Sequence, residues 1–457
     1  MINRISFLQD MLSSVFNREA VEGVDNDTRS FEELCDALLS ERGEVSGNRI
    51  ANLILTRFND AESEDQLAFF RMLVERFDID TEEVRSASES LSADNTASNL
   101  AHLLNCAEPK RQELFRRLNR IPGATGMLVN MRKCLLVHMR EHSELARIDI
   151  DFQRLFRAWF NRGFLALREI DWQTPANILE KLIEYEAVHA MSSWDSLRRR
   201  LAPADRKCFA FFHPSMLDEP LIFVEVALTK AAPQSIKEIL TENRNAIHAE
   251  SANTAVFYSI SNCQAGLAGV SFGNFLIKQV AQELSLQLPE LTTFRTLSPV
   301  PGFMRWVDAA SDTDDDVLRG RLSIVKRIAV GEIEQPNDDE QKVLSQMAAR
   351  YLVEERRSDN QPLDPVARFH LGNGARLDHI LPVADLYKKG LGQSAGVMVS
   401  YLYDLDEVIA NHEGYATDRI VFTSDEVQLL LKKEKKKKTA AKKKTTANNK
   451  KNSRRAS

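Results

Sequence analysis

The sequence has few cysteines and no long hydrophobic run, and each absence excludes a class of protein. The five cysteines are scattered over 457 residues, with no CxxC pair and no Cys/His pairing at zinc spacing. We therefore expect a reduced compartment, with neither a disulfide framework nor a zinc site. No stretch approaches 18 consecutive apolar residues, so the sequence predicts no transmembrane helix and no stable membrane association. The nucleotide-binding fingerprints GxGxxG and GK[ST] are absent as well.

The first twenty residues form an amphipathic stretch that does not match a targeting signal. Their hydrophobic run is too short for a secretory signal peptide. A mitochondrial presequence is the alternative, but presequences avoid acidic residues, and Asp10 and Glu19 are present. The last residues, Arg-Arg-Ala-Ser, differ from the peroxisomal Ser-Lys-Leu signal. We interpret the protein as cytoplasmic and its first residues as an ordinary helix.

The formal net charge of −6 combines two regions of opposite charge. Residues 432–457 contain eleven Lys, two Arg and one Glu, a local charge of +12. The remaining 431 residues carry 47 basic and 65 acidic groups, a net charge of −18. This body lacks the basic composition of a nucleic-acid-binding domain, so we expect no nucleic-acid partner. The tail is predicted to be a disordered, solvated extension, with contact to nucleic acid or an anionic membrane as the alternative.

The hydrophobic pattern predicts an α+β protein with three parts. Residues 1–200 have helical periodicity, with loops expected near 40–50 and 90–100, and form an all-helical bundle domain. Residues 201–427 alternate short strands with helices and contain a helical insertion, which is typical of an α/β domain. Residues 428–457 form the lysine-rich tail.

Within the second part, proline and aspartate separate short apolar or alternating runs. We expect strands at 207–213, 221–228, 255–260, 292–297 and 396–403, and helices over 232–246 and 272–286. A further short strand is expected immediately before His370.

A glycine-rich segment between an expected strand and an expected helix is the first candidate site. Gln264–Asn274 contains glycines at 266, 269 and 273 and leads into a helix that begins near Phe275. Glycine lets the backbone approach a ligand, and the unpaired N–H groups and the dipole of a helix N-terminus favour an anion. The segment therefore predicts a phosphate-binding loop, and a tight strand-to-helix turn is the alternative.

Two further motifs offer a hydroxyl and an imidazole. Ser298 precedes Pro299, Pro301 and Gly302, whose stiff, extended backbone can hold a hydroxyl in one place. His370 precedes a turn rich in Gly and Asn, and histidine is the side chain best suited to give or take a proton near neutral pH. Spacing alone leaves two alternatives open, a structural bend at Ser298 and a structural histidine at His370.

Two other segments carry weaker signals. His138 and His142 have the i, i+4 spacing of metal ligands but no third ligand nearby, so we predict a surface pair and no metal site. His213–Pro220 is interpreted as an irregular loop between two strands, which could line a site or simply turn the chain.

Together, five segments of the chain resemble the malonyl-CoA decarboxylase family. They are HPSMLDEPLIFVEVALT (213–229), AVFYSISNCQAGLAGVSFGNFLIKQV (255–280), FRTLSPVPGFMRW (294–306), DPVARFHLGNGARL (364–377) and GVMVSYLYDL (396–405). The segments follow the family's order and cover most of residues 205–425. Residues 1–200 resemble the family's N-terminal domain only in their helical pattern of apolar residues.

The resemblance implies a C-terminal domain with the acetyltransferase-like (GNAT) fold, a helical domain that oligomerises, and a homotetramer. It also implies conversion of malonyl-CoA to acetyl-CoA and CO₂, in fatty acid or malonate metabolism. In that fold the coenzyme's pantetheine and pyrophosphate lie against the strand-to-helix loop. The family's substrate-binding run falls on Ala268, Gly269, Val270, Ser271, Phe272, Gly273 and Asn274. Gln264 and Gly269 keep the fold's Gln/Arg-x-x-Gly-x-Gly/Ala signature, whereas Leu267 replaces its first glycine.

The family's catalytic pair falls on Ser298 and His370. Decarboxylation of a malonyl thioester leaves an enolate, so the enzyme must stabilise an oxyanion and then protonate a carbon. Our hypothesis is that Ser298 orients the malonyl carboxylate or His370, and that His370 delivers the proton, for which a pKa near the reference value of about 6.5 is suited. No metal or cofactor is expected, because the thioester carbonyl itself delocalises the charge. An acyl-CoA N-acyltransferase and a non-catalytic acyl-CoA-binding protein are the alternatives.

Overall fold

Helices make up most of the first of the two units into which the chain divides. In this computed structural model the described residues are 27–40, 44–242, 244–270 and 276–432. The first unit contains the chain up to Ala166 together with Phe212–Pro220 and Gln264–Phe272, and the second unit contains the remainder. The expected first helix and most of the lysine-rich tail lie outside the described residues. No helix in the described ranges is both long enough and apolar enough to cross a bilayer.

The described part of the first unit forms eight α-helices. They are α1 (Phe31–Leu39), α2 (Glu44–Asp60), α3 (Ser63–Arg76), α4 (Thr81–Ala93), α5 (Ala97–Cys106), α6 (Lys110–Leu118), α7 (Ala124–His138) and α8 (Ala146–Trp159). At α1, Ser30 and Glu33 form a reciprocal capping box, which pairs two N–H groups that the helix leaves unsatisfied. The loops expected at 40–50 and 90–100 are wrong in part, because α2 and α5 begin inside them. Burial of Ile50 on α2 outweighs the weak helix propensity of its polar first turn.

Aromatic side chains fill the core of the first unit. Phe115 of α6 and Phe152 of α8 stack with their ring centroids 4.3 Å apart, and both are fully buried. Phe58 of α2 contacts Phe69 and Phe70 of α3 at centroid distances of 5.2 and 5.3 Å. Burial of an aromatic side chain stabilises a fold by about 1.5–3 kcal/mol, so these side chains help to hold the helices together.

The described residues form an eight-stranded mixed sheet, most of which belongs to the second unit. Its strands are β1 (Ala166–Ile170), β2 (Arg206–His213), β3 (Met216–Thr229), β4 (Thr254–Asn262), β5 (Thr293–Thr296), β6 (Ser298–Pro299), β7 (Arg376–Leu381) and β8 (Met398–Leu402). The helices of the second unit are α9 (Ala176–Tyr185), α10 (Trp194–Leu201), α11 (Ile236–Leu240), α12 (Leu276–Gln287), α13 (Phe303–Ala310), α14 (Asp316–Ala329), α15 (Asp338–Val353), α16 (Pro365–Gly372), α17 (Lys388–Ser394) and α18 (Val408–Asp418). The strand order is β1-β2-β3-β4-β5-β8-β6, and β7 pairs with β8.

Around the candidate residues the sheet combines a parallel pair with antiparallel neighbours. β4 and β5 run parallel, and α12 supplies the crossover that a parallel pair requires. β3 pairs antiparallel with β4, and β5 and β7 pair antiparallel with β8. Beyond β5, Ser298 and Pro299 form β6 and lie opposite Val399 and Met398 of β8. The segment that contains Ser298 is therefore fixed against β8.

The predicted α+β class is confirmed, with a helical N-terminal part and a C-terminal mixed sheet that carries a helical insertion. The expected strands correspond to β2, β3, β4, β5 and β8. The helix expected over 232–246 is confined to the five residues of α11, because the backbone of Thr241 leaves the helical region and ends it.

The segment His213–Pro220 is a tight turn followed by a strand, so its interpretation as an irregular loop is wrong. β2 ends at His213 and β3 begins at Met216, which leaves only Pro214 and Ser215 between two neighbouring strands. The His213 Nδ1 atom accepts a hydrogen bond from the N–H of Ser215 at 3.2 Å. The imidazole therefore supports the turn.

Candidate active site

Ser298 lies at the start of β6, where the strand pairing fixes its backbone. Its side chain is 5% exposed. The hydroxyl donates a hydrogen bond to Thr296 Oγ1 at 2.9 Å. Thr296 Oγ1 also accepts the N–H of Tyr401 on β8, at 3.0 Å. The hydroxyl of Ser298 is thus anchored to two strands of the sheet.

His370 lies in the last turn of α16, so the expectation of a strand before it is wrong. Asp364 caps this helix, because its Oδ1 accepts the N–H groups of Val366 at 2.9 Å and Ala367 at 3.0 Å. Pro365 follows at the first helical position, where its missing N–H has no consequence. A short apolar run does not distinguish a strand from a buried helix by periodicity, which explains the wrong expectation.

Ser298 and His370 are joined in one hydrogen-bond chain. The Nε2 atom of His370 lies 3.0 Å from Ser298 Oγ, and its Nδ1 atom lies 2.8 Å from the hydroxyl of Tyr403. One face of the imidazole stacks on the ring of Tyr401, with the centroids 4.5 Å apart. The ring is therefore fixed at both nitrogens and on one face.

One buried carboxylate ties the segment after Ser298 to the helix of His370. Besides capping α16, Asp364 accepts the N–H of Gly302 and the hydroxyl of Tyr351, each at 3.4 Å. A Cβ atom at Gly302 would lie 2.1 Å from the Tyr351 hydroxyl oxygen, so the close approach requires glycine. Burial raises the pKa of Asp364 above its ordinary value.

The hydrogen-bond directions show which atoms of Ser298, His370 and Tyr403 carry the protons. Ser298 has a single hydroxyl proton and gives it to Thr296, so its oxygen accepts from His370. Nε2 of His370 then carries the imidazole proton, and Nδ1 accepts from the hydroxyl of Tyr403. The neutral imidazole therefore presents an N–H group to Ser298.

Burial keeps His370 uncharged. The imidazole is 2% exposed, and desolvation lowers its pKa to about 3, because an imidazolium here would lose its hydration. The expectation of a pKa of about 6.5 is therefore wrong. Burial also raises the pKa of Tyr403 well above the ordinary value of a phenol. Both groups are neutral at physiological pH.

The predicted phosphate-binding loop is described as far as Val270 and belongs to the first unit. Ala265–Leu267 forms a short 3₁₀ turn, and the side chain of Gln264 donates to the Pro220 carbonyl at 3.1 Å. Gly269 has a φ of +75°, which favours glycine. Of the predicted substrate-binding residues Ser271, Phe272, Gly273 and Asn274 lie outside the described residues, and the roles of Ala268, Gly269 and Val270 stay predictions.

A buried arginine fixes this loop from α7. Arg132 is 1% exposed and donates to the carbonyl oxygens of Gly266 at 2.7 Å and Ala268 at 2.8 Å, while it pairs with Asp149 at 2.7 Å. A Cβ atom at Gly266 would lie 1.9 Å from the carbonyl oxygen of Val129 on α7. Gly266 is therefore required by packing, which leaves Gly269 as the described glycine free to approach a ligand.

His138, the last residue of α7, and His142, which follows the helix, have separate contacts. The ring of His138 lies edge-on to Phe70 with the centroids 6.1 Å apart, and His142 Nδ1 lies 3.4 Å from the guanidinium of Arg71. Across the described ranges, no three His, Cys, Asp or Glu side chains are grouped so that they could hold a metal ion.

Two family models match most of the chain. The model described as malonyl-CoA decarboxylase C-terminal domain matches residues 163–441, and the one described as malonyl-CoA decarboxylase N-terminal domain matches residues 77–160. The chain belongs to the malonyl-CoA decarboxylase family. Among curated relatives, mitochondrial malonyl-CoA decarboxylase of Rattus norvegicus is 31% identical over 409 residues, which cover 80% of this chain and 82% of the relative. The protein of that name from Anser anser anser is 34% identical and covers 70% of this chain and 69% of the relative.

Solved structures of malonyl-CoA decarboxylases agree with the fold. The crystal structure from Rhodopseudomonas palustris has a TM-score of 0.81 and 49% identity, and it covers 87% of this chain and 98% of its own. The crystal structure from Agrobacterium vitis has a TM-score of 0.82 and 48% identity, and it covers 88% of this chain and 99% of its own.

Three residues that hold the candidate residues of this malonyl-CoA decarboxylase family member in place, within one unit or the other, give no separate signal in the sequence. Tyr403 lies in the segment GVMVSYLYDL (396–405), but only the pairing of β7 with β8 and the position of α16 show that it contacts His370. The sequence Asp364-Pro365 indicates a helix cap, but it does not indicate the hydrogen bond between Asp364 and the N–H of Gly302. Arg132 is 134 residues from Gly266 in sequence. Contacts over such separations follow from the tertiary fold.

Burial of His370 predicts an acid-sensitive component of stability. The pKa of His370 is lower in the folded protein than in the unfolded chain. Below about pH 6.5 the unfolded chain therefore binds a proton that the folded protein does not, and the free energy of unfolding decreases as the pH is lowered. Between pH 7.5 and 5.0, wild type should lose about 2 kcal/mol more than His370→Gln in urea unfolding. His102→Gln, at an exposed position on α5, should behave like wild type. Equal losses in wild type and His370→Gln would contradict the assignment.

Removal of the Arg132 guanidinium should loosen the loop. Arg132→Met leaves the buried Asp149 carboxylate without its cation, with Gln153 as its remaining side-chain partner. We therefore expect a loss of about 3–5 kcal/mol in the free energy of unfolding and an increased KM for malonyl-CoA. Arg116→Met removes a half-exposed ion pair with Glu108 on the same unit and should cost under about 1 kcal/mol with KM unchanged. The two variants are compared by urea unfolding and steady-state kinetics. Identical behaviour of both would show that Arg132 does not fix the loop.

Proposed function

We propose that this member of the malonyl-CoA decarboxylase family converts malonyl-CoA to acetyl-CoA and CO₂ with Ser298 and His370 as its catalytic pair. The observation that carries the proposal is the buried 3.0 Å hydrogen bond between Ser298 and a neutral His370. Ser298 and His370 are 72 residues apart in sequence, yet their side chains are hydrogen-bonded. If Ser298 only shaped a bend and His370 were only structural, the two side chains would not need to be in contact.

The chemistry needs neutral donors in a dry site. The bond between the α-carbon and the carboxylate breaks, CO₂ leaves, and the electron pair stays on the thioester as an enolate. One proton, ultimately from solvent, must then reach the α-carbon. Hydrogen-bond donors at the developing oxyanion act most strongly where water is excluded, because the local dielectric is low.

In this proposal His370 delivers the proton from Nε2, directly or through the hydroxyl of Ser298. The enolate is a strong base, so a neutral N–H is acidic enough and no buried imidazolium has to form. As the Nε2 proton leaves, Tyr403 shares its own proton with Nδ1, and the negative charge then rests on the more acidic phenol. When substrate binds, Ser298 donates its hydroxyl proton to the malonyl carboxylate in place of Thr296 and so orients that carboxylate. Tyr403 is a positioning residue.

The proposal assigns the coenzyme to the loop after β4. Ala268, Gly269 and Val270, with Ser271 to Asn274, bind the CoA part of malonyl-CoA. Arg132 supports this assignment, since it holds the carbonyl oxygens of Gly266 and Ala268 and so restrains the backbone around Gly269. The reaction uses no metal or organic cofactor, because the thioester carbonyl carries the charge of the intermediate.

We also propose a cytoplasmic homotetramer that functions in fatty acid or malonate metabolism. In it residues 1–200 mediate oligomerisation, 201–427 carry out catalysis, and 428–457 form a tail outside the folded part. Size-exclusion chromatography with light scattering tests the tetramer, and a variant that lacks 1–200 tests the division. Cell fractionation tests the location, since the curated relatives named above are mitochondrial proteins.

The activity is tested with the purified full chain and malonyl-CoA alone. We expect acetyl-CoA and CO₂ to form without an acceptor amine, which an N-acyltransferase would require. Ser298→Ala and His370→Ala should each lower kcat by about 10²–10⁴-fold, with CoA binding unchanged within about threefold. Ser400→Ala, which removes a buried hydroxyl with no partner among the described residues, is the matched control and should stay within about twofold of wild type. Near wild-type turnover by the double variant would refute the assignment.

The role of Tyr403 is tested by Tyr403→Phe. Loss of its hydroxyl frees the imidazole to exchange its proton between nitrogens, so we expect kcat to fall about 10–100-fold while KM stays unchanged. Tyr415→Phe removes a buried hydroxyl without a partner in the described chain and should leave both constants at wild-type values. A fall in stability with no change in kcat would show that Tyr403 is only structural.

A further inference from the structure

A small cavity of the second unit is lined by four arginines. It has a volume of about 170 Å³ and lies among α10, α11 and the segment that follows α11. Its charged lining consists of Arg199, Arg200, Arg206, Arg244 and Glu242, and we call it the arginine cavity. Ser298 and His370 are not among its described lining residues. The cavity is therefore distinct from the candidate active site.

The charge at the wall of the arginine cavity is positive. Glu242 is the one acidic residue among the described lining, and it pairs with Arg199 at 3.0 Å. Arg200 and Arg244 pair with Glu225 at 2.9 Å and with Asp205 at 2.8 Å, but neither of these carboxylates lines the cavity. The side that faces the cavity therefore attracts an anion.

Arg206 shares its carboxylate partner, Asp205, with Arg244. Its guanidinium donates to the carbonyl oxygens of Asp205 at 2.9 Å and Ile239 at 2.8 Å, and the Asp205 carboxylate lies 3.6 Å away. The side chain is almost fully buried, and desolvation lowers the pKa of the guanidinium. An anion in the arginine cavity would compensate this buried cation.

Tyr258 adds a donor that the folded chain does not use. The residue is 1% exposed and lines the cavity, yet its hydroxyl has no hydrogen-bond partner within the described chain. Buried hydroxyls are almost always paired, because leaving one unpaired costs its full desolvation penalty. An oxygen atom of a bound anion would supply the acceptor.

The size of the cavity limits the ligand. Drug-sized ligands occupy about 300–1,000 Å³, so a whole coenzyme does not fit, whereas a tetrahedral oxyanion does. Planar guanidinium groups match the oxygen geometry of phosphate. We propose that the arginine cavity binds a phosphoryl group, with Arg199, Arg206, Arg244 and Tyr258 as its donors. The group comes from free phosphate or from the phosphoryl end of a CoA ester.

The proposal is tested by calorimetric titration of the full chain with inorganic phosphate at low ionic strength. Wild type should bind one phosphate per chain with a saturable isotherm. Tyr258→Phe and Arg199→Gln should weaken binding about tenfold or more, since each removes a donor from the anion. Because the hydroxyl of Tyr258 is unpaired, Tyr258→Phe should fold with an unchanged melting temperature. Arg198→Gln, one residue away but outside the lining, and Tyr415→Phe are the matched controls and should bind phosphate as wild type does.

Two results would overturn the proposal: no saturable binding to wild type, or equal affinity in the two test variants and their controls. A second titration in the presence of saturating CoA separates the sources of the phosphoryl group. Loss of phosphate binding assigns the cavity to the coenzyme, and unchanged binding assigns it to free phosphate. Because neither readout uses decarboxylation, the result does not depend on the proposed function.

Discussion

Burial of His370 among α16, β6 and β8 is the constraint on which the candidate site depends. Burial of a neutral imidazole costs least when both ring nitrogens are paired, and here Ser298 and Tyr403 pair them. Those two partners are fixed in turn, Ser298 by strand pairing with β8 and Tyr403 by its position directly after β8. The carboxylate of Asp364 then joins α16 to the segment after Ser298. One connected network thus sets the distance between Ser298 and His370, the proposed catalytic pair.

The negative net charge of the chain outside its lysine-rich tail is a second constraint, because it opposes the binding of a negatively charged CoA ester. Outside the lysine-rich tail the chain has a net charge of −18, so overall charge does not attract a polyanion. Attraction must come from local donors, and the structure shows two places where arginines and backbone groups are organised locally. At the loop after β4, Arg132 holds carbonyl oxygens and restrains the backbone. In the arginine cavity, guanidinium groups face a space with one acidic lining residue in the described chain.

The sequence allowed the fold class to be predicted from local patterns, and a motif led to the two residues that we propose as the catalytic pair. Strand and helix periodicity placed β2 to β5 and β8, and a family motif singled out Ser298 and His370. The strand expected before His370 was wrong because a short apolar stretch such as 366–371 is compatible with a strand or with a turn of buried helix. The pKa of His370 was wrong because burial is a tertiary property. Tyr403 and Arg132 act through contacts across 33 and 134 residues, which no local pattern encodes.

The central claim is that a neutral, buried His370 serves the reaction. The pH dependence of kcat for acetyl-CoA formation, measured from pH 5.5 to 8 at saturating malonyl-CoA, tests it most directly. With a folded pKa of about 3, His370 does not titrate in this range, so the account predicts no step in kcat from an imidazole. A single ionisation with an apparent pKa of about 6.5, the ordinary value of histidine, would contradict it.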